Sequence, residues 1–356
     1  MTACGFILPF LEAERCGRIS LKYHEKSGSK MRKYLFEAGL DVYTSFKTLI
    51  PVESLNELSK GDKHRYHIYG ILAYDQIFFD IEKTKTTEKG IQVGLFSANG
   101  EKKEYTMPLW TILPGLDHTK VELDISFPPT KMNVRIKDEE FLKKHPQIVH
   151  SELDIMAQDL FQCVAENFLD RQEFEVLYIG QAYGKDGSRT AFERLETHST
   201  LQKILTNYRS ENPGKHIYIL LLEFQKQLSI SFDGISKQYT KTEEESDKHM
   251  EEVCCNLPED NQVINITEAA LINYFKPEYN VNFVDNFPNE NHKGYKQYFD
   301  LDYNSLTVEL DMEFDHAPII QLYTKTNRVN SSFDFIRYKL FNDNERSSMY
   351  EIFENN

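Results

Sequence analysis

The sequence predicts an α+β protein in which a small strand–helix–strand–helix unit sits between a β-rich N-terminal region and a β-containing C-terminal extension. Three observations predict it. Within residues 1–145 the apolar residues alternate or run together over short segments, as in Val121-Glu-Leu-Asp-Ile-Ser-Phe127. Between Glu173 and Asn280 the pattern runs strand-like, helix-like, strand-like and helix-like again. Beyond Asn280 strand-like runs return at Leu306–Leu310, Ile319–Tyr323 and Phe333–Phe341. The expected segments are 1–145, 146–284 with an acidic loop at 240–262, and an acidic extension over 285–356.

Composition narrows the class. The chain has 356 residues, 40% of them hydrophobic, with 24 Phe and 20 Tyr, which is too apolar for disorder over most of its length. No apolar run reaches the ~20 residues a membrane helix needs. The apolar stretch Cys4–Leu11 lacks the basic flank and cleavage site of a signal peptide. Five cysteines without a C-x-x-C pair read as free thiols, so a cytoplasmic protein is expected. The net charge of -15 opposes binding to a polyanion. It is unevenly spread, however: Lys185 to Lys215 holds six basic against four acidic residues, whereas Glu243 to Asp260 holds eight acidic residues and one Lys.

Taken in order, Tyr66–Tyr74 and Gln76–Ile81 read as strands rich in aromatic and β-branched residues. His64 and His67 flank Arg65 and read as surface or strand-packing histidines. Ser151–Leu169 carries Leu153, Met156, Leu160, Val164 and Phe168 at three- and four-residue steps, which predicts one helix with a packing face. Phe174–Gly180 is a short strand, and Gly184, Gly187 and Ser188 mark the loop after it. Arg189–His198 predicts a helix capped by Ser188. Leu201–Tyr208 predicts another, ended at Asn212-Pro-Gly214. His216–Phe224 is a buried-type strand, followed by a long polar loop. Thr267–Phe275 is a helix stopped by Lys276-Pro277.

Four chemistry-bearing features fall on this framework. Tyr178-Ile-Gly180 closes a strand, Arg194 and His198 lie one turn apart on the next helix, Glu268 is expected to begin a later helix, and Asn280 follows it. Singly each has a plain reading: a half-buried aromatic, a solvated charge, a helix-start carboxylate in the helix dipole, a turn residue. Jointly, in this order, they resemble the GIY-YIG nuclease superfamily over roughly 110 residues. The resemblance implies a central antiparallel sheet flanked by helices and Mg²⁺- or Mn²⁺-dependent hydrolysis of phosphodiester bonds in DNA, with RNA as an alternative substrate. It further implies that Tyr178 helps activate water. A restriction, repair or mobile-element setting is analogy with the family.

The residue types suit that chemistry by themselves. Glu268 offers a hard oxygen to Mg²⁺, which binds few carboxylates and keeps several waters. Arg194 can fork onto a phosphate, and His198 can contact phosphate or move a proton. Arg189, Lys185, Lys203 and Asn280 are candidate substrate contacts, with Gln181 as an accessory one. The first of the family's two tyrosine strands is not evident. His67-Ile-Tyr-Gly70 lies about a hundred residues upstream with its letters in another order, and Met132–Ile136 has no tyrosine. That gap and the charge set a second expectation: a catalytically silent nuclease-like module that binds nucleic acid or a protein partner through acidic surfaces. The nuclease expectation carries its own geometric condition, that Tyr178, Arg194, His198 and Glu268 converge on one cleft.

Overall fold

A computed structural model describes residues 31–58, 64–148, 150–183, 191–196, 198–232, 239–329, 333–341 and 346–350. Thirteen strands form among these described residues: β1 Glu37–Pro51, β2 Ile68–Asp75, β3 Ile77–Thr87, β4 Gly90–Ser97, β5 Lys102–Met107, β6 Val121–Ile125, β7 Lys131–Ile136, β8 Glu152–Met156, β9 Arg171–Gln181, β10 Lys215–Ser231, β11 Ser305–Asp311, β12 Ile319–Tyr323 and β13 Phe333–Lys339. Seven of them make one sheet in the order β12-β9-β2-β10-β1-β11-β13. The inner four strands pair antiparallel, while β12 joins β9 and β11 joins β1 in parallel, so the sheet is mixed. The protein is therefore α+β, and the segment 146–284 contributes only β9 and β10 to this sheet, where β2 from the N-terminal region lies between them. Its strands come from all three segments that the sequence separates.

The two central strands explain their own composition. β2 and the first half of β10 are apolar on both faces, and both faces are covered. On one face Leu72, Leu220 and Leu222 pack beneath the helix Asp260–Phe275 and the tyrosines Tyr295, Tyr298 and Tyr303. On the other, Tyr69, Ile71, Ile217, Ile219 and Leu221 pack under Phe192, Leu195, Leu201 and Ile204. Residues 76–170 form a separate body between β2 and β9. Two three-stranded sheets, β3-β4-β5 and β6-β7-β8, close over Phe79, Val93, Met132, Phe141 and Phe161.

Three sequence expectations are corrected. Ser151–Leu169 is not one helix: its first part is β8, paired with β7, and helix α1 covers only Ala157–Val164. Cross-strand charge pairs decide this, Arg135 to Glu152 at 2.7 Å and Lys131 to Asp154 at 2.8 Å, leaving Leu153 exposed. Helices α2 (Ala191–Glu196) and α3 (Ser199–Lys203) then follow β9, the latter continued by a π-turn over Ile204–Tyr208. The acidic stretch at 240–262 is not a loop. It is largely helix α4, Glu243–Cys255, opened by a reciprocal capping box between Thr242 and Glu245. Glu243, Glu244 and Glu245 crowd the first turn, where the helix dipole favours negative charge. Lastly, helix α5 spans Asp260–Phe275, so Glu268 sits in its interior rather than at its start. The dipole reading of Glu268 falls away with that shift.

The described cysteines Cys163, Cys254 and Cys255 are free thiols. Among the described residues no helix is long and apolar enough to cross a membrane.

Candidate active site

The site is built on a local defect in β9. Phe174 and Val176 point into the core under α5, so strict alternation would send Tyr178 the same way. Instead Ile71 pairs with Tyr178 while Leu72 pairs with Val176, so β9 carries one extra residue. This bulge reverses the phase: Leu177 and Tyr178 both pack on the opposite face, with Tyr69, and Ile179 returns to the α5 side. Tyr69 pairs across the strands with Gly180 and meets Tyr178 diagonally, ring centroids 6.2 Å apart. Gly180 has to be glycine here, because a Cβ would lie 2.7 Å from the Tyr69 hydroxyl oxygen.

His198 stands over both phenols. Its ring centroid is 5.1 Å from that of Tyr178 and 5.7 Å from that of Tyr69, in edge or tilted contact. It is buried and caps α3 by accepting the Leu201 N–H at Nδ1, at 3.2 Å. In the neutral ring that bond leaves the proton on Nε2. Burial raises the Tyr69 phenol well above its ordinary value, and the nearby Tyr178 adds to the effect while Arg194 opposes it. Tyr178 is raised for the same first reason, with Glu268 contributing and Arg194 opposing. Arg194 lies near enough to Tyr69 to favour its ionised form, although no hydrogen bond of ordinary length closes on the Tyr69 hydroxyl.

The outer edge of β9 beyond its pairing with β12 is finished by side chains rather than by another strand. Leu177 C=O accepts the Tyr279 N–H at 3.1 Å. Asn280 accepts the Ile179 N–H at 2.9 Å and donates to the Ile179 C=O at 2.8 Å. Gln181 lies close enough to the Glu268 carboxylate to favour its ionised form. Gln181 also donates to Asn265 at 2.9 Å, one turn before Glu268 on α5. Glu268 thus reaches the strand edge from one face while Tyr69, Tyr178, Arg194 and His198 approach from the other. Burial pushes its carboxyl up to about 7, against the opposing pull of Gln181 and Arg194. The side chain still keeps partial exposure.

Of the four sequence-predicted catalytic residues, Tyr178 and His198 are in ring contact, Arg194 acts on both Tyr178 and Glu268 through its charge, and Glu268 comes from the α5 side of the sheet. Asn280 spends both ends of its amide on the strand backbone, the orienting half of its expected role. Lys203 is exposed, its ammonium 5.6 Å from the Tyr279 ring centre. Lys185 and Arg189 lie outside the described residues. The residue that sequence reasoning missed is Tyr69. Its strand was legible, but only the pairing of β2 with β9 places it opposite Gly180.

Among the described residues no group of three or more His, Cys, Asp and Glu side chains is arranged to hold a metal ion. Comparisons with family models, curated proteins and solved structures return no match.

Proposed function

We propose that the protein is a metal-dependent endonuclease of the GIY-YIG type, hydrolysing phosphodiester bonds in DNA. One observation carries the reading: a tyrosine from β2, Tyr69, packs against Tyr178 and His198 close to Arg194, in the place where the sequence offered no first tyrosine.

The donor set suits Mg²⁺ or Mn²⁺. A single carboxylate is enough for an ion that keeps most of its waters, and Glu268 is a carboxylate whose charge burial disfavours and a cation would restore. When bound, such an ion supplies charge stabilisation at the phosphoryl oxygens and a more acidic water. Glu268 would hold it, beside Gln181. Tyr69 and Tyr178 stay protonated near neutral pH because burial disfavours their phenolates. Tyr178, the less buried of the two, would orient the attacking water through its hydroxyl, and Tyr69, with its hydroxyl shut off from solvent, would hold Tyr178 in place with Asn280 and Gly180. Arg194 offers charge-assisted hydrogen bonds to the phosphate as negative charge builds there. His198, with its proton on Nε2, can donate to a phosphate oxygen or to the departing oxygen.

The net charge of -15 favours a second reading, a silent nuclease-like module with a protein partner. Plasmid DNA and single-stranded RNA, each incubated with and without Mg²⁺ or Mn²⁺, separate the two. Metal-dependent nicking that is lost in Glu268→Ala and Arg194→Ala supports the nuclease. Intact substrates under every condition, or a Glu268→Ala variant as active as wild type, would leave the silent module.

A further inference from the structure

On the α5 face of the sheet, apart from Tyr69, Tyr178 and His198, lies a groove of about 380 Å³, within the roughly 300–1,000 Å³ of small-ligand clefts. On β2 the groove begins at His67, two residues before Tyr69, and on the β9 side at Tyr183, two residues after Gln181. On α5 it runs past Ile264, one turn before Glu268, to Asp260, two turns or roughly 12 Å away. β10 closes the far wall with Glu223, Phe224 and Lys226.

The lining discriminates between possible occupants. Arg65 and Lys226 are balanced by Glu223 and Asp260, and Lys226 is already committed to Asp260 at 2.8 Å and to the Pro258 C=O at 2.7 Å. His64 also faces Glu223, at 3.6 Å. A groove without excess positive charge is a poor seat for a phosphate. Its rings are half-buried and close together: His67 and Tyr183 have centroids 5.2 Å apart, and Phe224 lies on the opposite wall. Aromatic faces stack bases whatever their sequence, and carboxylates accept from their exocyclic N–H groups. We infer that this groove seats an unpaired nucleobase of a nucleic-acid strand. The inference rests on the nuclease reading for the strand as its source, and a base still in a duplex could not enter without leaving its stack.

The test uses the whole chain in EDTA, so that nothing is cut. Protein is titrated into a single-stranded oligonucleotide carrying one 2-aminopurine, and separately into the free 2-aminopurine nucleoside monophosphate. Saturable quenching of the oligonucleotide is expected, weakened about tenfold by Tyr183→Ala and by Phe224→Ala, nearly restored in Tyr183→Phe, and retained by Glu268→Gln. Circular dichroism melts confirm that each variant is folded. No quenching of the oligonucleotide, or quenching unaltered in both alanine variants, overturns the inference. Quenching of the free nucleotide alone overturns the strand as its source. The outcome is independent of the cleavage assay: Tyr183-dependent quenching in a protein that nicks no DNA would keep the base site and remove the nuclease, while nicking without quenching would do the reverse.

Discussion

Tyr69 lies across Gly180 so closely that a Cβ on the glycine would meet the tyrosine hydroxyl at 2.7 Å and the Tyr178 ring at 2.7 Å. One residue without a side chain therefore lets two phenols from distant parts of the chain share a site. Gly180→Ala must displace one of them. The expected cost is about 1–3 kcal/mol in urea unfolding, with cleavage falling by about two orders of magnitude. Gly70→Ala is the internal comparison, because its Cβ would meet nothing nearer than Leu72 at 3.3 Å and Leu220 at 3.6 Å, beside a small apolar cavity. It is expected to change stability by less than about 1 kcal/mol. Equal behaviour of the two variants would show that the packing of Tyr69 on Gly180 does not matter.

Asn280 acts on the strand that presents Tyr178 rather than on a substrate. Both of its amide groups are bonded to Ile179. Asn280→Ala should lower unfolding stability by about 1–3 kcal/mol, since it leaves a backbone N–H and C=O without their partners. Asn280→Asp should not rescue it, because a carboxylate can accept from the N–H but repels the C=O. A residue that only touched nucleic acid would instead weaken binding at unchanged stability, and that result would return Asn280 to the substrate contacts.

These relationships mark what the sequence made legible. Strand β9, the α2–α3 pair and the run into Phe275 carry strong local patterns, so the elements bearing Tyr178, Arg194 and Glu268 are legible. His198, expected on one helix with Arg194, is instead the extended cap of the next helix, and Glu268 is interior to its helix. The place of Tyr69 is not legible, because the body over residues 76–170 separates β2 from β9 and no local rule pairs strands across such an interval. The bulge at Leu177–Tyr178 is equally hidden: period-two reading puts Tyr178 with Val176, on the wrong face. The acidic stretch misleads for another reason. Its composition looks solvated, yet a capping box and a favourable helix dipole turn it into α4.

Glu268 gives the site a pH dependence. Its carboxyl is pushed up to about 7, so the ionised form needed to hold a cation is scarce at pH 6 and dominant at pH 8. Cleavage at limiting Mg²⁺ should rise about tenfold per pH unit below 7 and level off above it. Stability runs the other way. The folded chain holds this proton over the range from its unfolded value of about 4.5 to about 7, so the stabilisation is complete below the first and lost through the second. Wild type should therefore lose on the order of 2 kcal/mol relative to Glu268→Gln between pH 4.5 and 8, some screening by solvent included. A wild-type minus variant difference that is flat with pH in urea unfolding would mean that Glu268 is ionised throughout.

The segment 346–350 is tied to the main sheet by a buried charge. Arg346 pairs with Glu37 at the start of β1 and with Asp302 at 2.8 Å, and Arg346 and Glu37 are almost wholly withdrawn from water. Asn304 donates to the same Glu37 carboxylate at 3.1 Å. The pairing compensates a desolvation that neither ion could bear alone. Arg346→Ala should cost about 3–5 kcal/mol in urea unfolding, because it strands the Glu37 carboxylate. Glu37→Gln combined with Arg346→Met should recover much of that loss, since neither side chain then carries an unpaired charge. Because β1 lies beyond β10 from β2 and β9, the double variant should also leave any metal-dependent cleavage at the wild-type level. A single variant as stable as wild type would mean that this segment does not dock on the sheet in solution.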